Sequence, residues 1–314
     1  MTRTRHQKEK NRHYALFLNR KASGFQARTI EKLTKAIRQA GAYYTIHEPD
    51  SAMTLLKQAQ QVKQLHATAA AGSPAVRGRG DITALVACGG DGTVNLVARA
   101  ASELDLPVGV LPLGQFNNIA RHLYGELTPD TAVAKIVKAD YRTFDIATAA
   151  DQPFIGAVAL GFVPELARTM EGKKLPRFGL GWSQLGAKAA ANVQMTKSII
   201  RVDAFRFEVT PVMINIHLLP YAAALPFSPA SLTDDNQLEV AFDVGTKVGD
   251  FSAITRLIYK KKFLFGDELR MYRGHEVTIQ PTKGKTLYLD GELIPLPTNF
   301  VSIKMTDRKV KLFC

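Results

Sequence analysis

Along its first 140 residues the chain alternates short apolar runs with stretches in which apolar positions recur every three or four residues. Residues 13–19 (HYALFLN) form the first run and end near Ser23-Gly24, which predicts a strand and then a loop. Ile30, Leu33, Ile37 and Ala40 then share one helical face, Arg28, Lys32, Lys35 and Gln39 lie on another, and Gly41 supplies a stop. Residues 43–47 are strand-like, 51–66 predict a helix capped by Ser51, and 69–81 read as a loop. Two strand-turn-helix units follow: 82–88, GGDGT and 94–101, then 106–111, PLGQ and 116–124. This alternation predicts a parallel sheet covered on both faces, a three-layer α/β domain with right-handed crossovers.

Beyond Tyr141 the period shortens to two. IRVDAFRFEVTP, QLEVAFDV, EVTIQ, KTLYLDGELIPL and FVSIKM alternate apolar and polar residues, with helical stretches near 182–195 and 249–262. A mainly antiparallel second domain, a β-sandwich, is expected there. Residues 209–233 carry no Asp, Glu, Lys or Arg and are long enough to span a bilayer. Pro211, Pro220, Pro226 and Pro229 interrupt them, so strand, turn and strand is the better reading.

Composition adds constraints of a different kind. With 314 residues and 46% hydrophobic content the chain is globular and large enough for two domains. Its 41 Lys+Arg against 28 Asp+Glu leave a net charge of +13, which favours a polyanionic partner such as nucleotide phosphates or an anionic membrane face. RNA-recognition signatures are absent, and nucleic acid is not expected. The two cysteines, Cys88 and Cys314, cannot build a disulfide framework, and the polar N-terminus MTRTRHQKEKNR is no secretory signal; a cytoplasmic protein is expected.

The sharpest chemical signal is Gly89-Gly90-Asp91-Gly92-Thr93, between a buried strand and a helix. Backbone N–H groups and the helix dipole bind phosphate at such a place, and glycines let the ligand approach. An acid in a phosphate loop repels phosphate unless it meets a metal or a proton, so Asp91 reads as catalytic. The alternative is a plain glycine turn with Asp91 as a helix cap. The second signal, residues 111–121 (LPLGQFNNIAR), sits at the end of the next strand, where it can face the same ligand. Asn117 is a candidate for a ribose, base or phosphate, or simply an exposed asparagine at a helix start.

The spaced pair of turns resembles the catalytic domain of diacylglycerol kinases and the related sphingosine and ceramide kinases. Residues 16–24 (LFLNRKASG) resemble the N-terminal strand and nucleotide loop of that family, matching at Asn19, Ala22 and Gly24. LTDDNQLEV (232–240) resembles its metal loop, and LYLDGE (287–292) its late LDGE element. The resemblance implies an α/β nucleotide domain over 14–140 behind a basic tail of residues 1–13. It implies a β-sandwich substrate domain over 141–304, and a segment 305–314 that returns to the first domain, with ATP and substrate in the cleft between the two. It further implies that Asn19, Gly89, Gly90, Asp91, Gly92, Thr93, Gly114, Gln115 and Asn117 bind nucleotide. Asp235, with the carbonyls of Leu232 and Gln237, would hold Mg²⁺, and Glu292 beside Asp290 would accept a proton. From the residues alone, LYLDGEL reads as an Asp-Gly hairpin turn.

The expected function is therefore an ATP- and Mg²⁺-dependent lipid kinase, peripherally associated with an anionic membrane, with a homodimer allowed. A nucleotide-binding regulator with little turnover, or a phosphotransferase of the NAD-kinase or phosphofructokinase type, remains the alternative. Three positions depart from the family pattern. Gln115 replaces a threonine, Asn236 replaces a glycine, and Ile216-His217-Leu218-Leu219 replaces an Asn-rich strand end. Asn236 tolerates left-handed dihedrals, so its turn is expected to survive. His217 and His275 read as packed or exposed rather than as ligands, and Lys173-Lys174 and Lys260-Lys261-Lys262 as solvated faces or contacts to anionic lipid.

Overall fold

The computed structural model describes residues 12–64, 81–228, 231–244, 247–261 and 269–314. Nearly all of the basic tail, of the 69–81 loop, and Lys262 lie outside the described residues. The chain divides into two compact units, one of residues up to Phe144 with Lys309–Cys314 and the other of Asp145–Arg308.

The first unit runs β1 (His13–Leu18), α1 (Ala27–Gln39), β2 (Tyr43–His47), α2 (Ala52–Gln60), β3 (Ala84–Gly89), α3 (Asp91–Leu104), β4 (Val108–Pro112), α4 (Asn118–Tyr124) and α5 (Pro129–Lys138). Its strands lie parallel in the order β2-β1-β3-β4. All six residues of β1 and all six of β3 are buried, as a sheet covered on both faces requires. Tyr14, Leu16 and Leu18 share one face with Ala84, Val86 and Cys88, and there they meet Ile30, Leu33 and Ile37 of α1 and Ala132, Val133 and Ile136 of α5. Because β2 lies on one side of β1 and β3 on the other, the order reverses between β1 and β3, and their carboxyl ends open a crevice.

Ser51 caps α2 as expected, accepting from the Thr54 N–H at 3.1 Å. The helix after GGDGT was expected from residue 94, but β3 runs to Gly89 and α3 begins at Asp91, so only Gly90 lies between them. Nor does the next helix start at 116: Asn117 is left-handed (φ 49°) and α4 begins at Asn118. Helix α5 was not expected, although Thr128, accepting from the Thr131 N–H, and Pro129 at its start are a readable cap.

Two strands run between the units along the chain: β5 (Tyr141–Ala149) and β18 (Val301–Phe313). In the first unit Leu312 of β18 stands beside Val108 of β4.

The second unit contains β6 (Gln152–Phe154), β7 (Ala157–Gly161), α6 (Phe162–Met170), α7 (Gly179–Ala191), β8 (Ser198–Val202), β9 (Phe205–Val209), β10 (Met213–His217), β11 (Tyr221–Ala222), β12 (Leu225–Pro226), β13 (Leu238–Asp243), α8 (Phe251–Tyr259), β14 (Leu269–Gly274), β15 (Glu276–Gln280), β16 (Thr286–Leu289) and β17 (Glu292–Pro295). One antiparallel sheet has the order β14-β13-β10-β7-β16-β17. Against it, across one core, pack Ile200 and Val202 of β8, Val277 and Ile279 of β15, and Val301 and Ile303 of β18. The unit is a β-sandwich. Within the described part of residues 209–233, Met213–His217 form β10 and 221–226 the small β11–β12 hairpin, and no described helix is long and apolar enough to cross a membrane.

Residues next to Ile214 and Ile216 on β10 point to the other face of the sheet, which puts Asn215 and His217 there. His217 is 1% exposed, its ring stacks beside Phe227, its Nδ1 lies 3.0 Å from the Leu219 carbonyl, and burial lowers its pKa to about 4. It is a packed residue. His275 is exposed beside Asp203.

Helix α6 was also unexpected, and it depends on one glycine. Gly161 ends β7 with φ 80°, and a Cβ there would lie 2.2 Å from the Val212 carbonyl oxygen, which already accepts the Phe162 N–H at 2.9 Å. Gly161→Ala is therefore expected to cost more than about 2 kcal/mol, since left-handed strain and a backbone clash add. Urea unfolding of the variant, with an unshifted midpoint as the contrary outcome, checks this.

Candidate active site

Three loops at the carboxyl ends of β1, β3 and β4 are tied together. The Asn19 N–H donates to the Cys88 carbonyl at 2.9 Å, the Gly24 N–H to the Leu113 carbonyl at 2.8 Å, and the Leu113 N–H to the Gly89 carbonyl at 2.8 Å. Asn19 Nδ2 donates to Thr93 Oγ1 at 3.2 Å, which joins the first loop to the first turn of α3. Glycines set the spacing. A Cβ on Gly89 would lie 2.3 Å from Thr93 Oγ1, and one on Gly114 would lie 2.3 Å from the Gly90 α-carbon. The β3 and β4 loops thus touch backbone to backbone, beside the first turn of α3, the positive end of that helix's dipole.

Asn117 closes its own loop: its Oδ1 accepts from the Gly114 N–H at 2.9 Å and its Nδ2 donates to the Gly114 carbonyl at 2.7 Å. The amide expected to meet a nucleotide is engaged in holding Gly114. Gln115, next in that loop, is half-buried.

Asp91 is 5% exposed, and its carboxylate accepts three hydrogen bonds at 3.0 Å, from the Asn118 N–H and Nδ2 and from the Ile119 N–H. It caps α4, the neighbouring helix, rather than its own. With both oxygens committed, Asp91 is placed as a positioning residue that fixes the β4 loop against the β3 loop. Asn118, buried at 3%, is the partner that the sequence did not mark.

In the second unit, LYLDGEL is the Asp-Gly hairpin between β16 and β17, with Asp290 at φ 44° and Gly291 at φ 95°. The Asp290 carboxylate is buried and accepts from the N–H groups of Ile155, Gly156 and Ala157, each at 2.9 Å. Glu292, at the start of β17, is exposed. The 232–237 loop keeps the left-handed turn expected of Asn236 (φ 58°). It is held by an acid that the sequence did not single out: Asp145 of β5 accepts from the Asn236 N–H at 2.7 Å and donates its own N–H to the Thr233 carbonyl at 2.9 Å. Beside it, Glu239 accepts from Ser228, from Ser231 at 2.7 Å and from Arg273 at 2.6 Å. Burial pushes the Glu239 pKa up, but the two hydroxyls and the guanidinium outweigh it and hold the carboxyl below its usual range.

Residues 13–149 match the diacylglycerol kinase catalytic domain. Over those residues the chain is similar to that family. The diacylglycerol kinase of Bacillus subtilis (strain 168) is 24% identical over 244 residues, covering 76% of this chain and 79% of that protein. A crystal structure of a diacylglycerol kinase from Bacillus anthracis str. Sterne superposes at a TM-score of 0.69 over 96% of both chains with 16% identity, and shares the two-unit fold.

The diacylglycerol kinase resemblance carried a resident Mg²⁺ onto Leu232, Asp235 and Gln237, and these residues as folded do not suit one. Asp235 Oδ1 takes the Gln237 N–H at 3.2 Å, and Oδ2 lies 3.4 Å from Arg273, whose other nitrogen holds Glu239. Leu232 is exposed. A hard divalent cation needs several oxygen donors turned toward it, whereas here a guanidinium meets the one carboxylate. Among the described residues no group of three His, Cys, Asp or Glu could hold a metal.

Two outcomes follow for this diacylglycerol kinase-like site. Asp91→Asn puts an amide NH₂ or a weaker acceptor against the buried N–H donors; it is expected to cost about 1–3 kcal/mol of stability. Calorimetric melting checks this, and an unchanged melting temperature would remove Asp91 from its bracing role. The wild-type protein should melt at the same temperature in Mg²⁺ and in chelator, because Arg273 already neutralises the loop. A melting point that rises with Mg²⁺ would return the cation to Asp235.

Proposed function

We propose that the protein is an ATP-dependent lipid kinase that transfers the γ-phosphoryl group of MgATP to the hydroxyl of a diacylglycerol-like lipid. The observation that supports this reading most is the contact of Gly90 and Gly114 beside the first turn of α3. A smooth backbone cradle at strand carboxyl ends, beside the positive end of a helix, suits a polyphosphate. In this reading Gly89, Gly90, Gly92 and Thr93 surround the phosphates, Asn19 steadies Thr93, and Gln115 extends from the second loop where the family has threonine. Asp91, Asn117 and Asn118 keep the two loops in register. The acceptor oxygen forms its bond to Pγ as the bond from Pγ to the bridging oxygen breaks, ADP departs, and Glu292 takes the hydroxyl proton. Little covalent work falls to the protein, so the rate rests on alignment and on charge placed around the phosphates.

A lipid acceptor implies work at a bilayer. With a charge of +13 and no described helix able to cross a membrane, reversible attachment from the cytoplasmic side to an anionic face suits the chain. Gln115 in place of the family threonine favours the second reading, a nucleotide-binding regulator that turns over little.

Radiolabelled ATP incubated with the protein and a total lipid extract separates the two. A labelled phospholipid is expected, and Glu292→Gln should cut its formation by about 10²–10⁴ while ATP affinity stays within a few-fold. ATP binding without any labelled lipid would replace the kinase reading with the regulator.

A further inference from the structure

Helices α7 and α8 pack antiparallel along a seam of small residues. A Cβ on Gly186 would lie 2.0 Å from Thr255 Oγ1, Ser183 Oγ lies 2.7 Å from Ser252 Oγ, and a Cβ on Gly179 would lie 3.3 Å from Arg256 Cγ. At one end of the pair the Tyr259 hydroxyl donates to the Arg177 carbonyl at 3.1 Å, and the Tyr259 ring stacks on Trp182 at 6.0 Å between centroids. The start of α7 and the finish of α8 are thereby fastened to each other.

That end collects apolar groups in water. Phe178 is 76% exposed, Leu180 69%, Leu257 40% and Tyr259 37%. Single exposed apolar side chains are ordinary, but four on one fastened helix end are a surface that water does not favour. Within the described segments that form it, the charge has one sign. Lys173, Lys174 and Arg177 precede α7, while Arg256, Lys260 and Lys261 close α8, and all six are exposed. No acid occurs in residues 172–191 or 251–261, and Asp250 stands at the opposite end of α8. Long basic side chains can lay their stems along apolar surface and lift their charges to a phosphate plane, and aromatic rings suit the same boundary.

We propose that the joined ends of α7 and α8 dock on an anionic bilayer, with Phe178 and Leu180 entering below the headgroups and the surrounding lysines and arginines meeting lipid phosphates. This extends the lipid-acceptor reading by naming the surface that reaches the membrane. An acidic protein would supply the charge but leave Phe178 and Leu180 without an apolar phase, and a neutral bilayer would leave the cations unmatched. Two weak signals act together here, as reversible membrane attachment requires.

The test is run without nucleotide, on vesicles of phosphatidylcholine alone and of phosphatidylcholine with phosphatidylglycerol. The sequence has one tryptophan, Trp182, one turn into α7, so brominated phosphatidylcholine reports whether this end meets the acyl chains. Wild type is expected to sediment with the anionic vesicles and to lose Trp182 emission to the brominated lipid. Phe178→Ser with Leu180→Ser should weaken binding by about ten-fold or more with an unchanged melting point, since both side chains are exposed. Arg177→Gln, Arg256→Gln and Lys260→Gln should each cost about five-fold on anionic vesicles and little on neutral ones. Full binding by the Phe178/Leu180 variant, binding without loss of Trp182 emission, or no binding to either vesicle would overturn the proposal. A protein that phosphorylates a dispersed short-chain diacylglycerol yet ignores vesicles would lose this docking surface and keep the kinase reading.

Discussion

The close approach of the Gly90 and Gly114 backbones, locked by the Asp91 carboxylate, sets the geometry on which the loops at the carboxyl ends of β3 and β4 depend. Two strand-to-helix loops can share one ligand only if their backbones lie side by side, and any side chain at either glycine would hold them apart. Glycine brings them close but gives no direction. Direction comes from Asp91, at the start of α3, which reaches across to the first N–H groups of α4 and so fixes the angle between two successive βα units. Hydrogen bonds from N–H groups to a charged, buried acceptor are among the stronger ones available to a fold, at about 1.5–3 kcal/mol.

The same device recurs in the second unit. Asp290 gathers three consecutive N–H groups of residues 155–157, Asp145 holds the turn at Asn236, and Glu239 gathers two hydroxyls and a guanidinium. In each case an acid is spent on backbone or neighbouring side chains, and Asp91 and Asp290 are so spent from within a motif. Such an acid reads as chemistry in sequence because catalysis and backbone bracing ask for the same group, a carboxylate next to glycine or a turn. Burial and partner count separate the two roles, and Glu292, exposed one residue beyond the Asp-Gly turn, is the one of these acids left facing water.

Arg273 shows how a neighbouring strand can change the chemistry of a loop. It lies on β14, well separated in sequence from Asp235 and Glu239, and reaches both through the β13–β14 pairing in which Glu239 stands opposite Arg273 itself. Cation binding at residues 232–237 looks available from the loop alone. The adjacent strand supplies a positive charge of its own.

The sequence by itself determined the two-unit architecture, because periods of 3.6 and 2 are written directly in the spacing of Ile30, Leu33 and Ile37 or in IRVDAFRFEV. It also determined which loops carry the glycines, and, through GGDGT and PLGQFNN together, the family that this stretch resembles. Helices α5 and α6 escaped it: the apolar face of α5 is only Ala132, Val133 and Ile136, and α6 hangs on the left-handed Gly161. Only the tertiary structure decided what Asp91, Asp235 and Asp290 do, since each is answered by a group brought close by strand pairing or loop contact, whereas Asn117 is answered by Gly114 within its own loop. Only it gathered Phe178, Leu180, Arg256 and Lys260, which lie some eighty residues apart in pairs, onto one end of two helices. Local periodicity is a property of neighbours along the chain, whereas the partners of a polar group are a property of neighbours in space.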